Sequence, residues 1–292
     1  PDSLCWLLNI RGSDIPRIPI VQALGILHDT GDVDLFVDAA KLAEVALDNV
    51  ALHAPERFEA QLATLSGPVR LDKTTAPVAV GQILMDAEID VAWAPDPCLL
   101  PKARKTPAEA QGARAAHLRD APAVIETFAW LDATAPGGLT EIDVVKTLEG
   151  HRRATNALQD ISFETICGSG PNGASIHYRA NEPTNRTLEA NELLLIDSGG
   201  QYLDGTTDIT RTLAIGTPNA EEIANYTRVL RGLIAISRAQ FPKGLAGRDL
   251  DPLARQHLWN HGLDFGHGTG HGVGSYLSVH EGPQRLARTG TV

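Results

Sequence analysis

Asp197 and Asp208 stand eleven residues apart in NELLLIDSGGQYLDGTTDITRTLAIG, residues 191–216. The segment reads as two apolar strands, residues 192–196 and 206–215, around a loop carrying Gly199-Gly200 and Asp204-Gly205, both hairpin signals. Side chains alternate along a strand, so Asp197 shares a face with Leu193 and Leu195. A hairpin between the strands brings the two carboxylates together, with a bulge able to shift the register by a rung. Adjacent carboxylates in an apolar setting repel, so one protonates or a divalent cation lies between them. Hard oxygen ligands suit manganese, magnesium or calcium, and zinc when an imidazole joins them. The plainer alternative has Asp197 capping a turn and Asp208 solvated. The apolar lead-in and the Thr206-Thr207-Asp208 context favour the cation.

A second segment, FGHGTGHGVGSYLSVHEGP at 265–283, sets His267, His271 and His280 among glycines, which let backbone approach a site closely. Gly-Thr-Gly between His267 and His271 breaks a helix, so this is not the helical HExxH arrangement. At most one of that pair need be a ligand, and the other can hydrogen-bond a substrate. A third segment, SFETICGSGPNGASIHYR at 162–179, ends near His177. It lacks the GK[ST] and GxGxxG patterns of phosphate loops, and alone it is a weak signal.

The elements that must position these residues fall into two textures. Residues 4–10, 20–27, 33–37 and 89–94 read as strands, with helical spacing at 55–65 and 79–85, an α/β layer. The Pro-rich run at 94–102 can continue neither a helix nor a central strand and marks a boundary. After it, Thr106-Pro107-Ala108-Glu109 caps a long helix reaching about residue 131, with a kink or break expected at Pro122. Thr140 to Asp143 restarts a helix with a capping box. Further helices are expected at 221–241 and 248–261. The expected domains are therefore 1–104 and 105–292.

Composition limits the function classes. Hydrophobic residues make up 43% and charged residues 21%, which suits a globular chain. The net charge of −11 disfavours nucleic acid or an anionic membrane as partner. Nothing approaches an eighteen-residue apolar span, and the N-terminus lacks signal-peptide features. Its opening with Pro rather than Met suggests a fragment or a processed chain. Cys5, Cys98 and Cys167 are too few and too widely spaced for a disulfide framework, which points to a reducing, cytoplasmic setting. Cys167 reads as structural despite its place near the third segment.

IDSGGQYLDGTTDITRT and HGTGHGVGSYLSVHEGP together resemble the Xaa-Pro aminopeptidases of the pita-bread metallopeptidase superfamily, which also holds prolidase, methionine aminopeptidase and creatinase. The wording is closest to the three-domain, cytosolic-type subgroup, and WLLNIRGSDIP at 6–16 resembles the domain before its catalytic one. The resemblance implies an α+β pita-bread catalytic domain, C-terminally incomplete, preceded by part of an α/β creatinase-N-terminal-like domain. It implies Asp197, Asp208 and His271 as metal ligands, with Asp208 bridging. His177, His267 and His280 would be the catalytic, substrate-facing histidines. The implied cofactor is two divalent metal ions, manganese first, whose activated hydroxide attacks the bond before a penultimate proline. Two further glutamate ligands are expected beyond Val292, so residues 1–292 alone are expected to be inactive. The other readings are a prolidase restricted to dipeptides and a catalytically dead pita-bread binding module. Peptides with penultimate proline are the implied partners, and a homodimer the implied assembly, with Trp259 a candidate anchor.

Overall fold

In the computed structural model, which describes residues 1–288, the chain falls into two compact units, Pro1–Lys105 and Thr106–Val292. The first unit begins with helix α1 (Asp2–Leu7), where the sequence reading expects a strand over 4–10. A short apolar run cannot by itself distinguish strand from buried helix. Here the helix turns Cys5 inward, and the Val21 N–H donates to its Sγ at 3.3 Å. Strands β1 (Leu24–Leu27) and β2 (Val33–Phe36) pair antiparallel, and β3 (Val50–His53) joins β2 in parallel. The strand expected over 20–27 is thus shorter, with Ile20, Val21 and Ala23 buried ahead of it. Helix α2 (Phe58–Leu62), strand β4 (Val69–Leu71), helix α3 (Val78–Asp86) and strand β5 (Val91–Trp93) follow, with β4 and β5 parallel. Phe36, Phe58, Leu62, Val80 and Leu84 form the core. Helix α4 (Leu99–Ala103) forms within the Pro-rich run, against expectation. Pro101 lies in its first turn, where the missing N–H would have had no intrahelical partner.

The second unit opens on α5 (Pro107–Thr134), capped as expected by Thr106 and Glu109. This helix is 28 residues long and continues through Pro122 without the expected break. The capping box of Thr140 and Asp143 starts α6 (Glu141–Ala154). Such a cap contributes ~1 kcal/mol. Strands β6 (Asp160–Ile161) and β7 (Ile166–Ser169) lead to β8 (Glu192–Ser198). A small hairpin, β9 (Gly200–Tyr202) and β10 (Gly205–Thr206), precedes β11 (Ile209–Ile215). The sheets run β11-β8-β7 and β10-β9-β6, all antiparallel. Alternate residues Leu194 and Ile196 of β8 bury against Val124 and Leu131 of α5 and Val144 and Leu148 of α6. Burying each such side chain is worth ~1.5–3 kcal/mol. Leu193, Leu195 and Asp197 are left on the open face, as the period of two requires. The chain closes with α7 (Ala220–Ser237), α8 (Gly247–Trp259), β12 (Gly270–Gly272) and β13 (Glu281–Leu286). No described helix is long and apolar enough to cross a membrane.

Candidate functional site

The strand expected over 206–215 is broken in two, and the break makes the site. β9 and β10 pair Tyr202 with Gly205, so the turn falls at Leu203-Asp204, and the ladder resumes only at Ile209 opposite Ser198. Asp197 lies opposite Thr210, whose hydroxyl donates to its Oδ1 at 2.7 Å. Asp208 precedes β11 and is the diagonal neighbour of Asp197 on the open face. The two carboxyls lie close enough to act on one another's protonation. Burial pushes both above the ordinary carboxylate range. The charge of Asp208 adds to the rise at Asp197, whereas His271 opposes it at Asp208.

The hairpin is bedded on α5. Gly112, Ala113 and Ala116 lie under Asp204 and Gly205, where only small residues fit. Arg119 clamps the Asp204 carboxylate through two N–H groups at 2.8 and 2.9 Å. On its other side the hairpin reaches the histidine segment. Gln201 Nε2 donates to the Leu277 carbonyl at 2.8 Å, and the Thr206 hydroxyl donates to Gln201 Oε1 at 2.7 Å.

That segment brings His271 Nε2 to 3.3 Å from Asp208 Oδ2. A carbonyl only accepts, so the 2.7 Å contact from Nδ1 to the Gly272 carbonyl makes Nδ1 a donor. In the neutral ring Nε2 then keeps its lone pair, turned toward a carboxylate. The rings of His271 and His280 meet edge-on, centroids 4.4 Å apart. Desolvation, with the charges of His271 and His177, pulls His280 below the ordinary histidine value. His177 stands in the left-handed backbone region (φ 57°) and acts electrostatically on both Asp197 and His280. His267 is held differently, its ring 4.8 Å from that of Phe265 and its Nδ1 donating to Gly268.

The structure therefore gathers His177, Asp197, Asp208, His271 and His280 into one neighbourhood. Among the described residues, no three His, Cys, Asp or Glu side chains close a metal cage. The donor chemistry nevertheless fits a divalent cation. Two half-buried carboxyls and an imidazole lone pair face one another, and only protons or a cation reconcile them. Three donors suffice for one cation completed by water, and are few for two. Glu281, beside His280 in sequence, is buried while His280 is exposed.

Residues that the sequence reading passed over do the positioning. Glu141, fully buried at the start of α6, accepts from Ser169 N–H, Asn172, Tyr178 and Arg186 N–H, fixing the loop of His177. Asp120 and Arg152 lie beneath Thr207. Arg255 holds the carbonyls of Phe265 and His267, each at 2.6 Å. His117 on α5 acts on Asp208 electrostatically. A long-range partner leaves no trace in local spacing, although the Thr207 hydroxyl beside Asp208 was visible. Among the thiols, burial pushes Cys98 to about 11 and Cys167 higher still, and Cys167 packs in the core as expected.

Comparison with known proteins follows the same division of the chain. Residues 111–292 match the metallopeptidase family M24, and residues 1–109 match the creatinase/prolidase N-terminal domain. A probable Xaa-Pro aminopeptidase P of Coccidioides posadasii is 42% identical over 305 residues, covering 98% of this chain and 46% of that relative. The chain spans about half the length of the curated relatives it matches. The crystal structure of an X-prolyl aminopeptidase from Caenorhabditis elegans, described as a cytosolic enzyme with a di-nuclear active site, superposes with TM-score 0.88 at 35% identity. That match covers 99% of this chain and 49% of the other. Prolidase from Pyrococcus furiosus shares the fold, with TM-score 0.73 at 24% identity over 91% of this chain and 77% of its own.

Proposed function

The chain belongs to metallopeptidase family M24, and from that premise we propose that it is the metal-bearing part of an aminopeptidase that releases the N-terminal residue from peptides with proline second. The observation that carries the reading is the meeting of Asp197, Asp208 and His271 at one open sheet face. In this reading those three hold divalent cations, manganese first, with Asp208 shared between two. In the same reading, two further glutamate ligands expected beyond Val292 complete the set. When bound, such cations supply Lewis acidity and lower the pKa of water.

The chain's own residues do the rest. Thr210 orients Asp197 through its hydroxyl, and the Gly272 carbonyl fixes the His271 ring so that Nε2 presents its lone pair. His280 and His177 stand beside Asp197, where imidazole nitrogens can take and pass a proton toward a leaving amine. His267 is assigned to the substrate side. A cytoplasmic location accords with three free, buried cysteines. A homodimer through the surface around Trp259, which is 39% exposed, belongs to the same reading.

The test is Asp208→Asn in the intact protein. Peptidase activity on an Xaa-Pro peptide and metal content should fall together, because an amide removes the charge that balances the cations. Near-normal turnover with metal still bound would sink the assignment.

A further inference from the structure

We propose that Asp120 is a positioning residue for Asp208 and acts through the Thr207 hydroxyl; the proposal rests on the reading that Asp208 holds a divalent cation. Asp120 lies on α5, fully buried. Arg152 of α6 grips it through Nε at 2.7 Å and Nη2 at 3.0 Å. Its two oxygens then accept from the hairpin: Oδ1 from the Tyr202 hydroxyl at 2.7 Å, and Oδ2 from the Thr207 hydroxyl at 3.0 Å.

Every polar group of Thr207 is thereby used. Its hydroxyl donates to Asp120 and accepts the Gly200 N–H at 2.9 Å. Its own N–H donates to the Gly200 carbonyl at 2.9 Å. Its carbonyl accepts from the Ser162 hydroxyl at 2.8 Å. The residue before Asp208 is thus fixed on three sides, at the point where the chain leaves the small hairpin and has not yet entered the β11 ladder. A hydroxyl that already accepts one backbone N–H needs a strong, immobile acceptor for its proton. A carboxylate held by a bidentate guanidinium is such an acceptor. Asp120 therefore carries the rigidity of the α5–α6 pair to the backbone of Asp208 without touching the cation.

Asp120 also supports the fold through Arg152, so the experiment works on the hydroxyl. In the intact protein, stripped by chelator, Mn²⁺ is titrated by calorimetry and the metal-free forms are melted in parallel. Thr207→Val should weaken Mn²⁺ by ~10–100-fold, the usual effect of removing an outer-shell partner. Thr207→Ser, which keeps the hydroxyl, should bind as the parent does. Tyr202→Phe takes a donor from the same carboxylate away from the ligand. It should lower the melting temperature and leave Mn²⁺ affinity unchanged. A purely structural role predicts that Thr207→Val and Tyr202→Phe lose affinity alike, or that neither does, and either result overturns the proposal. Should Thr207→Val fail to fold, Thr207→Ala set against Thr207→Ser makes the same comparison, and equal affinities overturn it. Asp208→Asn separates the underlying reading: parent-like Mn²⁺ binding by that variant refutes the metal assignment itself.

Discussion

The larger unit buries two aspartate–arginine pairs, and they hold different things. Asp120 and Arg152 come from two helices, and the aspartate grips side chains, the hydroxyls of Tyr202 and Thr207. Asp251 and Arg255 sit one turn apart on α8, and the arginine grips main chain, the carbonyls of Phe265 and His267. Arg255 also pairs with Asp264 and lies 3.7 Å above the Phe265 ring. The difference follows from what each pair must order. Hairpin backbone is already bonded within its own ladder, so only side chains are free to be held. The glycine-rich histidine segment has few ladder bonds, and its carbonyls need donors from elsewhere. An arginine offers five N–H groups in a rigid fork, which suits that task. Arg152, facing a sheet with little left to satisfy, leaves Nη1 buried without a partner among the described residues.

The comparison can be broken by removing the arginines in turn. Arg255→Met should destabilise by ~3–5 kcal/mol, because it strands the buried Asp251 charge. It should also raise hydrogen exchange through 265–271, since two carbonyls lose their donor. Arg152→Met should cost a similar amount by urea denaturation while exchange in the 200–206 hairpin stays slow, held by its own ladder. If both segments loosen equally, the distinction between side-chain and main-chain anchoring is wrong.

A smaller effect sharpens the point from the other unit. Asp34 accepts from His28 at 2.9 Å and His53 at 2.8 Å, but near the surface. The hydrogen bond from His28, with that from His53, holds its carboxyl below the ordinary range despite some desolvation. Its contribution is present above the unfolded-state pKa of about 3.9 and fades as pH falls through the lower folded value. Asp34→Asn should therefore cost at most about 1 kcal/mol near neutrality, and the difference from the parent should shrink below pH 4. A loss near that of Arg255→Met would mean that pairing, rather than burial, sets the scale.

How much of this was legible in the sequence depended on the range of the interaction. The helix starts at Thr106 and Thr140 were readable because their capping partners are three residues apart. So was the open face of Asp197, which follows from the pleat. The 4–10 segment misled because an apolar run of that length has no period to read, and its helix is settled by the contact of Cys5 with Val21. Pro122 suggested a kink or break, and the helix runs on through it while Val124 and Leu131 pack in the core with the sheet. At the site, Asp197, Asp208 and the histidines of 265–283 stood out by type and spacing, whereas His177 entered only through the family resemblance. Glu141, Asp120 and Arg255 did not, because a charged residue on a helix looks solvated until the sheet that covers it is known.

The contact between α5 and the hairpin tip has a practical side. Replacing helical glycine by alanine is a common stabilising change, worth ~0.5–1 kcal/mol. At Gly112 it is closed off, because a methyl group would overlap the Asp204 carbonyl and push the tip away from α5. The displacement would be felt at Asp208 rather than in the helix. Gly150, within α6, has open space where its Cβ would go. For anyone engineering a sturdier version of this domain, the substitution is open at Gly150 and not at Gly112, and only the former leaves the carboxylates where they are.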